Sequence, residues 1–305
     1  MLAERDRRPV LWSGIPGIAL PARRKALVYR AQADLMIVHS HHEREMFQAL
    51  DEAEGMQHRF ALTTLPFLDR RPSTGDDLVF AAQALVPATR AERRHLVVQL
   101  IAAAESHPDR RVVLKVRAQA GERQTHDERW PLDALLPPVV PRNLVVQAGP
   151  MAHVLDTAGS VVSVSSTAII EAFARGIPAL VLDDYGIGDE QLNAIFTDSG
   201  LVGSTADMVA GRFRSVDREW ARRNYLHDHT DDDAASQLAE LVQQHARSPL
   251  SPRAPQRSTA GGRLRRAWDR RTALGRHDGD AVGVLALALG VPARAVVRFA
   301  RKLAG

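Results

Sequence analysis

Three hydroxyl residues in a row, Ser165, Ser166 and Thr167, stand where an apolar run gives way to a helix-forming segment. Ile169 occupies the place, three residues after Ser166, at which a capping box would have Glu or Gln. The hydroxyls and the first amides of the helix are therefore free to bind an anion, which the helix dipole also favours. A phosphate is the commonest guest of such a site, whereas an ordinary capped helix is the alternative that needs no ligand.

A single carboxylate, Glu171, interrupts the otherwise apolar helix that follows. Burying it unpaired would be costly, so we expect it to face a cleft or a partner. Near a bound phosphate it could accept hydrogen bonds from ribose hydroxyls. Three polar side chains open the next predicted helix near the same edge and could bind sugar hydroxyls: Glu190, Gln191 and Asn193.

Two cations, Lys115 and Arg117, end a predicted strand upstream of the hydroxyl residues. Positive charge at this edge could neutralise a phosphate leaving group. The polar loop that follows the two cations contains His126.

Near the N-terminus, His39 ends a predicted strand, the position at which catalytic groups collect in α/β proteins. Ser40 and Glu43 have the spacing of a capping box, which explains the polarity of this His-rich segment without a metal. Gly14 and Gly17 lie in a turn-rich loop that could approach a ligand closely, or be a simple loop. The second polar cluster, residues 227–233, is interpreted as a solvated helix start, so no metal site is predicted.

The elements that position these residues follow a βα alternation with almost wholly apolar strands, which is typical of parallel sheets covered on both faces. Strands are predicted at 10–12, 35–38, 60–65, 78–81, 112–116, 144–147, 161–164 and 179–182. Helices are predicted at 22–33, 40–53, 88–106, 151–157, 167–174, 191–198, 207–213, 219–225 and 234–245. The carboxyl ends of such strands form the edge at which ligands of open α/β folds bind.

Composition shifts divide the chain into three parts. Residues 1–70 can supply part of a doubly wound domain whose first half is missing from this sequence. After a linker of the type Arg-Arg-Pro-Ser-Thr-Gly, residues 75–245 form one complete α/β domain with about five parallel strands. Residues 246–305 form a Pro/Ser linker and a basic amphipathic tail.

The chain has no cysteine, no apolar core of signal-peptide length near its start, and no apolar run long enough to span a membrane. A cytoplasmic protein is predicted. The tail, residues 246–305, has 13 basic and three acidic residues and could rest on anionic lipid at the inner face of the membrane, or on a phosphate-bearing polymer. A solvated tail or a helix packed on the protein are the alternatives, and nucleic acid is not expected.

A family resemblance rests on Ser-Ser-Thr-Ala-x-x-Glu-Ala-x-x-x-Gly-x-Pro at 165–178 and on Asp-Glu-Gln-x-Asn-Ala at 189–194. Together with the apolar strand between them, these motifs resemble the donor-binding domain of GT-B glycosyltransferases, including the peptidoglycan N-acetylglucosaminyl transferase and bacterial capsule sialyltransferases. SGIPG, YRAQADLMIVHSHHE and FAAQALVP also resemble an actinobacterial group of glycosyltransferases. The resemblance covers about residues 10–245 and implies a GT-B-like fold, with a complete Rossmann-like C-terminal domain and a truncated Rossmann-like N-terminal part.

The resemblance also implies roles for single residues. Ser165 and Ser166 match the serine pair that holds the donor phosphate, and Glu171 matches the glutamate that binds ribose. Glu190 and Gln191 match the acidic-Gln pair near the donor sugar. Lys115 is similar to the lysine of the Lys-x-His-Pro element of capsule sialyltransferases, for whose histidine His126 would be a displaced substitute.

The expected function is a metal-independent transferase, hexosyl- or sialyl-type, that moves a sugar from a nucleotide sugar to a cell-envelope glycan or lipid-linked acceptor, without a bound cofactor. The general base would come from the N-terminal part, where His39 and Glu43 are the candidates. A nucleotide-sugar 2-epimerase or a polyol-phosphate transferase on the same fold, and a non-catalytic nucleotide- or partner-binding protein, are the alternatives.

Overall fold

The computed structural model describes residues 8–15, 17–117, 128–252 and, in the tail, 264, 266–268, 271, 280–290 and 292. Two parallel sheets lie within one compact unit made of Trp12–Ala26 and Leu35–Glu240. The second unit contains the described parts of Met1–Leu11, Leu27–Asp34 and Leu241–Gly305.

The first sheet has three parallel strands in chain order: β1 (Trp12–Gly14), β2 (Leu35–Val38) and β3 (Phe60–Leu62). Helices α1 (Arg24–Val28) and α2 (His41–Ala53) connect them. Every residue of β2 and β3 is buried, as expected for strands covered on both faces.

The second sheet has six parallel strands: β4 (Asp77–Ala81), β5 (Val112–Lys115), β6 (Leu144–Gln147), β7 (Ala158–Ser163), β8 (Ala179–Leu182) and β9 (Val202–Gly203). Their helices are α3 (Arg90–Ser106), α4 (Met151–Leu155), α5 (Ala168–Ala174), α6 (Thr205–Val209), α7 (Arg218–Arg223) and α8 (Ala234–Arg247). The spatial order β6-β5-β4-β7-β8-β9 is that of a doubly wound Rossmann-like sheet, whose strand order reverses between β4 and β7. The predicted α/β fold with parallel sheets is confirmed.

The apolar strands explain why this sheet is buried on both faces. In β4, Leu78 and Phe80 contribute to one hydrophobic core, while Val79 and Ala81 contribute to the other. Successive side chains of a strand point to opposite faces, so an unbroken apolar run fills both cores at once.

The segment predicted as a linker is held against the second sheet. Thr74 donates its backbone N–H to the carbonyl of Asp156 over 3.0 Å, and a methyl group built on Gly75 would lie 2.3 Å from the carbonyl oxygen of Thr157. Only glycine allows this approach. Composition identified the connection between the sheets but not this docking.

Two expectations about the second sheet are wrong in detail. The helix expected at 191–198 is only a short 3-10 turn, Ala194–Phe196, because Leu192 before it has a φ of 60° and cannot continue a right-handed helix. A sixth strand, β9, was not predicted because two residues give no periodic pattern.

The polar cluster at residues 227–233 is not a solvated helix start but is hydrogen-bonded to the first sheet. Asp233 accepts the backbone N–H of Leu62 at 2.6 Å, and Asp232 accepts that of Thr64 at 2.8 Å. His227 lies 2.9 Å from Asp232. These bonds tie the segment before α8 to the carboxyl end of β3. Among the described residues, no group of three or more His, Asp or Glu is arranged to hold a metal ion.

In the second unit, Arg8 and Asp34 form a buried bidentate ion pair, with N···O distances of 2.6 and 2.7 Å. A helix at residues 281–290 belongs to the same unit. In the described part of the chain, every helix is too short or too polar to cross a membrane.

Candidate functional site

A cleft of about 220 Å³ opens at the carboxyl edge of the second sheet, at the point where the strand order reverses. Ligands of doubly wound proteins bind at this switch point, because the connections on its two sides lead to opposite faces of the sheet and leave a crevice. The residues that line the cleft come from the ends of β4 and β5 and from the starts of α4 and α5: Ala81, Ala82, Lys115, Arg117, Met151, Ser166, Thr167, Ala168 and Glu171.

Two cations of the cleft lie at the carboxyl end of β5. Lys115 is buried and donates from Nζ to the carbonyl of its neighbour Val116, while the Arg117 side chain is exposed. Burial lowers the pKa of Lys115, the nearby charge of Arg117 lowers it further, and the Glu171 carboxylate raises it. Among the described residues this buried ammonium has one hydrogen-bond acceptor, a neutral carbonyl, so it would gain from an anionic ligand.

The carboxylate of Glu171 lies in the same cleft, one turn into α5. Burial raises its pKa, while the charges of Arg175 and Lys115 lower it. Arg175 is directed elsewhere, since its guanidinium binds Asp156 at 2.8 Å and Asp69 at 3.1 Å. In the described ranges the Glu171 carboxylate has no hydrogen-bond donor, so it is available to ligand hydroxyls.

The adjacent serines have different environments. Ser166 lines the cleft, and its Oγ accepts the amide N–H of Ala168 at 3.2 Å. Ser165 is buried: its hydroxyl donates to the carbonyl of Leu192, and its amide donates to Oε1 of Gln83 at 2.7 Å. Only Ser166 of the predicted pair therefore faces the cleft, while Ser165 holds the loop after β8.

Neither serine caps α5 by the expected bond. Thr167 is the N-cap and makes no side-chain bond to the helix. Within the described part of the chain, the amides of Ser166 and Thr167 have no acceptor. The first three amides of α5 itself, expected to be free, already donate to Ser166 and Thr167. The hydroxyls of these two residues lie in the same cleft as Lys115 and Glu171.

The loop after β8 contains the three residues expected to bind sugar. Asn193 is fully buried, accepts the amide of Gly188 at 2.9 Å and donates to the carbonyl of Gly186 at 3.1 Å, so its amide shapes the loop from inside. Gln191 lies against the same two glycines. Glu190 is exposed. Of the three, Glu190 and Gln191 keep side-chain atoms at the surface.

The first sheet presents His39 at the end of β2. Its Nδ1 lies 3.0 Å from the carbonyl oxygen of Thr63. Because a carbonyl only accepts, Nδ1 carries the proton and the neutral ring has its lone pair on Nε2. Among the described residues Nε2 has no partner, so it can accept a proton from a ligand.

Glu43 is placed differently from the expected base. Ser40 accepts the amide of Glu43 at 3.0 Å, as the capping box predicts, but the carboxylate accepts the amide of His39 at 2.8 Å instead of that of Ser40. It also accepts the amide of Ala19 at 3.0 Å and the hydroxyl of Tyr225 at 2.9 Å. The side chain is fully buried and burial raises its pKa, so it holds three segments together rather than contacting substrate.

The glycine loop after β1 reaches the head of α5. Gly17 has a φ of 73°, and a methyl group built on it would lie 3.1 Å from Cγ2 of Thr167. Gly14 lies within β1, against Ile37 of β2. The loop from the first sheet therefore meets the cleft of the second at Thr167.

Three further findings concern the sequence predictions for this site. His126 lies outside the described residues. Tyr225, whose φ is 122°, was not predicted to contact the N-terminal part, since 182 residues separate it from Glu43. Gln83 joins Ser163 and Ser165 across the switch point and was missed because a lone glutamine in a loop carries no signal.

Solved structures similar to this chain include three from different sources. Phytolacca americana apo UGT2 has 12% identity, 70% coverage of this chain and 56% of that chain, and a TM-score of 0.42. The pneumococcal O-GlcNAc transferase GtfA in complex with UDP and GlcNAc has 15% identity, 74% coverage of this chain and 46% of that chain, and a TM-score of 0.38. A putative UDP-N-acetylglucosamine 2-epimerase from Listeria monocytogenes has 12% identity, 77% coverage of this chain and 66% of that chain, and a TM-score of 0.45.

The chain spans between 46% and 66% of the length of these three structures. No curated protein sequence matches it. A family profile matches residues 1–241, which is most of the chain. The chain therefore belongs to the family described as "Putative glycosyltransferase (DUF6716)".

Proposed function

We propose that the chain is a GT-B glycosyltransferase that moves a sugar from a nucleotide sugar to a cell-envelope glycan or lipid-linked acceptor. Residues 75–245 would form the nucleotide-sugar-binding domain and residues 1–70 the acceptor side, with residues 246–305 as linker and tail. The enzyme would be metal-independent, transfer a hexosyl or sialyl group, and act in the cytoplasm. Membership of the family supports glycosyl transfer in general.

The observation that carries the proposal is the switch-point cleft, which brings cations, hydroxyls and a carboxylate together. Lys115 and Arg117 supply positive charge there, Ser166 and Thr167 supply hydroxyls and amides, and Glu171 supplies acceptor oxygens. Cations and amides suit the phosphates of a nucleotide, and a carboxylate suits the paired hydroxyls of its ribose.

In the proposed reaction an acceptor hydroxyl attacks the anomeric carbon of the donor sugar. A new carbon–oxygen bond forms there, and the bond from the anomeric carbon to the phosphate oxygen breaks. The electron pair leaves with the nucleotide, whose developing charge Lys115 and Arg117 would stabilise. Because these cations stand in the cleft before reaction, little reorganisation is needed when the charge develops.

His39 is the proposed general base. Its Nδ1–H is oriented by the carbonyl of Thr63, which leaves Nε2 to take the proton of the acceptor hydroxyl. Glu43 would act through His39 and the loop at Ala19, both of whose amides it accepts, and is a positioning residue.

Titration calorimetry with UDP-, GDP- and CMP-sugars tests the proposal. One of the three should bind, and Glu171→Ala should weaken that binding by about 10- to 100-fold, the range for a lost charged hydrogen bond. Ser166→Ala should weaken it by about 2- to 10-fold. Glu105→Ala and Ser106→Ala, both exposed at the end of α3, are matched controls that should bind like the wild type.

Failure of all three donor classes to bind would contradict the proposal. So would binding that is unchanged in Ser166→Ala and Glu171→Ala. Incubation of the bound donor without an acceptor separates the epimerase, because only an epimerase converts the donor alone.

A further inference from the structure

The helix at residues 281–290 exposes an apolar face. Its sequence, AVGVLALALG, contains no charged or hydrogen-bonding side chain. Val284, Leu285 and Leu289 are 50%, 54% and 59% exposed, and with Ala281 and Ala288 they form one side of the helix. At 100° per residue these five positions fall within an arc of about 140°.

The opposite side of the same helix is packed. Ala286 is buried, and a methyl group built on Gly290 would lie 2.2 Å from the ring of Trp268. Ala267, next to that tryptophan, is also buried. The helix is thus fixed within its unit by one face, so its exposed apolar face cannot be covered by simple rotation.

The charge of the surrounding segment indicates what covers this face. Residues 246–305 carry 13 basic and three acidic residues, net +10, whereas the whole chain is only +4. In sequence, the apolar helix lies within a strongly basic segment. This combination suits an anionic lipid bilayer, whose headgroups attract cations and whose acyl boundary accepts leucines. A nucleic acid would match the charge but would leave the aliphatic face exposed to water.

We propose that this tail docks the protein on an anionic bilayer, with Val284, Leu285 and Leu289 entering the boundary between headgroups and acyl chains. The ten described residues 281–290 have half the length that a spanning helix needs, so we place the helix on the membrane rather than across it. This docking is independent of the proposed transferase activity, because it uses no residue of the switch-point cleft.

Sedimentation of the full chain with vesicles tests the docking. The protein should pellet with vesicles of phosphatidylglycerol and phosphatidylcholine in equal parts, and much less with phosphatidylcholine alone. Leu285→Ser/Leu289→Ser should reduce the partition coefficient by about tenfold per leucine without any change of charge. Raising NaCl from about 0.1 to about 0.5 M should also reduce it severalfold.

The matched control is Val98→Ser/Val139→Ser, which replaces two exposed apolar residues outside the tail and should bind like the wild type. Thermal unfolding of both double variants checks that they fold. Equal partitioning of wild type and Leu285→Ser/Leu289→Ser would overturn the proposal. A wild-type dimer that becomes monomeric in this variant and ignores both vesicle types would overturn it too, in favour of a second copy of the chain.

Discussion

Two glutamates, Glu43 and Glu171, occupy similar positions at the carboxyl edges of the two sheets. Each lies in the first turns of the helix that follows a buried strand, and burial raises the pKa of each. Their hydrogen bonds differ. Glu43 accepts three donors, from Ala19, His39 and Tyr225, whereas Glu171 accepts none among the described residues.

Burial and a shifted pKa therefore do not by themselves identify a functional carboxylate. A buried group whose bonds are complete within the fold stabilises the fold, and one whose bonds are incomplete is open to a ligand. Two cations show the same contrast. Arg93 is buried and bonded to four carbonyls and to Glu128, whereas Lys115 bonds only to its neighbour's carbonyl among the described residues.

Replacing Glu43 should give the largest effect. In Glu43→Ala two amides and the Tyr225 hydroxyl lose their acceptor in a buried place, so the free energy of unfolding should fall by about 3–5 kcal/mol. Urea denaturation measures this, with Glu45→Ala as control. Glu45 is exposed and forms a surface ion pair with Arg223, so its loss should cost less than about 1 kcal/mol. Similar costs for both would remove the structural role assigned to Glu43.

Removing the cleft cation should act on binding and not on folding. Lys115→Met keeps the aliphatic stem and deletes the charge, so affinity for the preferred nucleoside diphosphate should fall by about 10- to 100-fold. Stability should not fall, because burial already disfavours the charged form, as the lowered pKa of Lys115 indicates. Calorimetry measures the affinity and thermal unfolding measures the stability. Lys25→Met, at an exposed position, is the control. A variant that loses stability but keeps its affinity would make Lys115 structural.

Much of the fold can be predicted from the sequence, because short apolar runs bounded by turn residues indicate buried parallel strands. The strands at 35–38, 144–147 and 179–182 have the predicted bounds. The helix expected at 191–198 fails for a reason that no local pattern contains. Leu192 adopts a left-handed conformation while the buried Ser165 holds its carbonyl, and this bond spans 27 residues.

The candidate site divides in the same way. Lys115, Ser166 and Glu171 meet because β5 and β7 flank β4, and ends of parallel strands share one edge. The rule needs only chain order and strand type, which the sequence supplies. The partners of Glu43 are unpredictable by contrast, since Tyr225 lies 182 residues away from it along the chain. The tertiary structure is therefore needed to tell which of the two carboxylates has its hydrogen bonds filled within the fold.

Ser165 and Ser166 show the same contrast in two adjacent residues, since Ser165 is bonded within the fold and Ser166 lines the cleft. Ser165→Ala should lower the free energy of unfolding by about 1 kcal/mol, because the Leu192 carbonyl loses its donor. Its effect on donor affinity should be smaller than that of Ser166→Ala. Thermal unfolding and calorimetry on both variants form the test. The reverse assignment, with Ser165 controlling affinity and Ser166 stability, would mean that the cleft binds its ligand through the loop at Leu192.

The smallest expected effect is a pH-dependent gain in stability for Glu171→Gln. The folded-state pKa of Glu171 is raised above its unfolded value near about 4.3, so the protonated carboxyl is favoured in the fold. At pH below that value wild type and variant should unfold alike. As pH rises through the folded pKa the wild type loses stability, because the carboxylate must then be charged in a partly buried place where no described residue donates to it.

Melting temperatures of the two proteins between about pH 4 and pH 8 should therefore separate progressively in favour of glutamine and then stay parallel. Glu105→Gln, at an exposed position, should show no such separation. Adding the preferred nucleotide sugar should reverse the order, since its hydroxyls would supply the donors that Glu171 lacks. If glutamine destabilised the ligand-free protein above pH 5, Glu171 would already be satisfied within the fold, and its contrast with Glu43 would disappear.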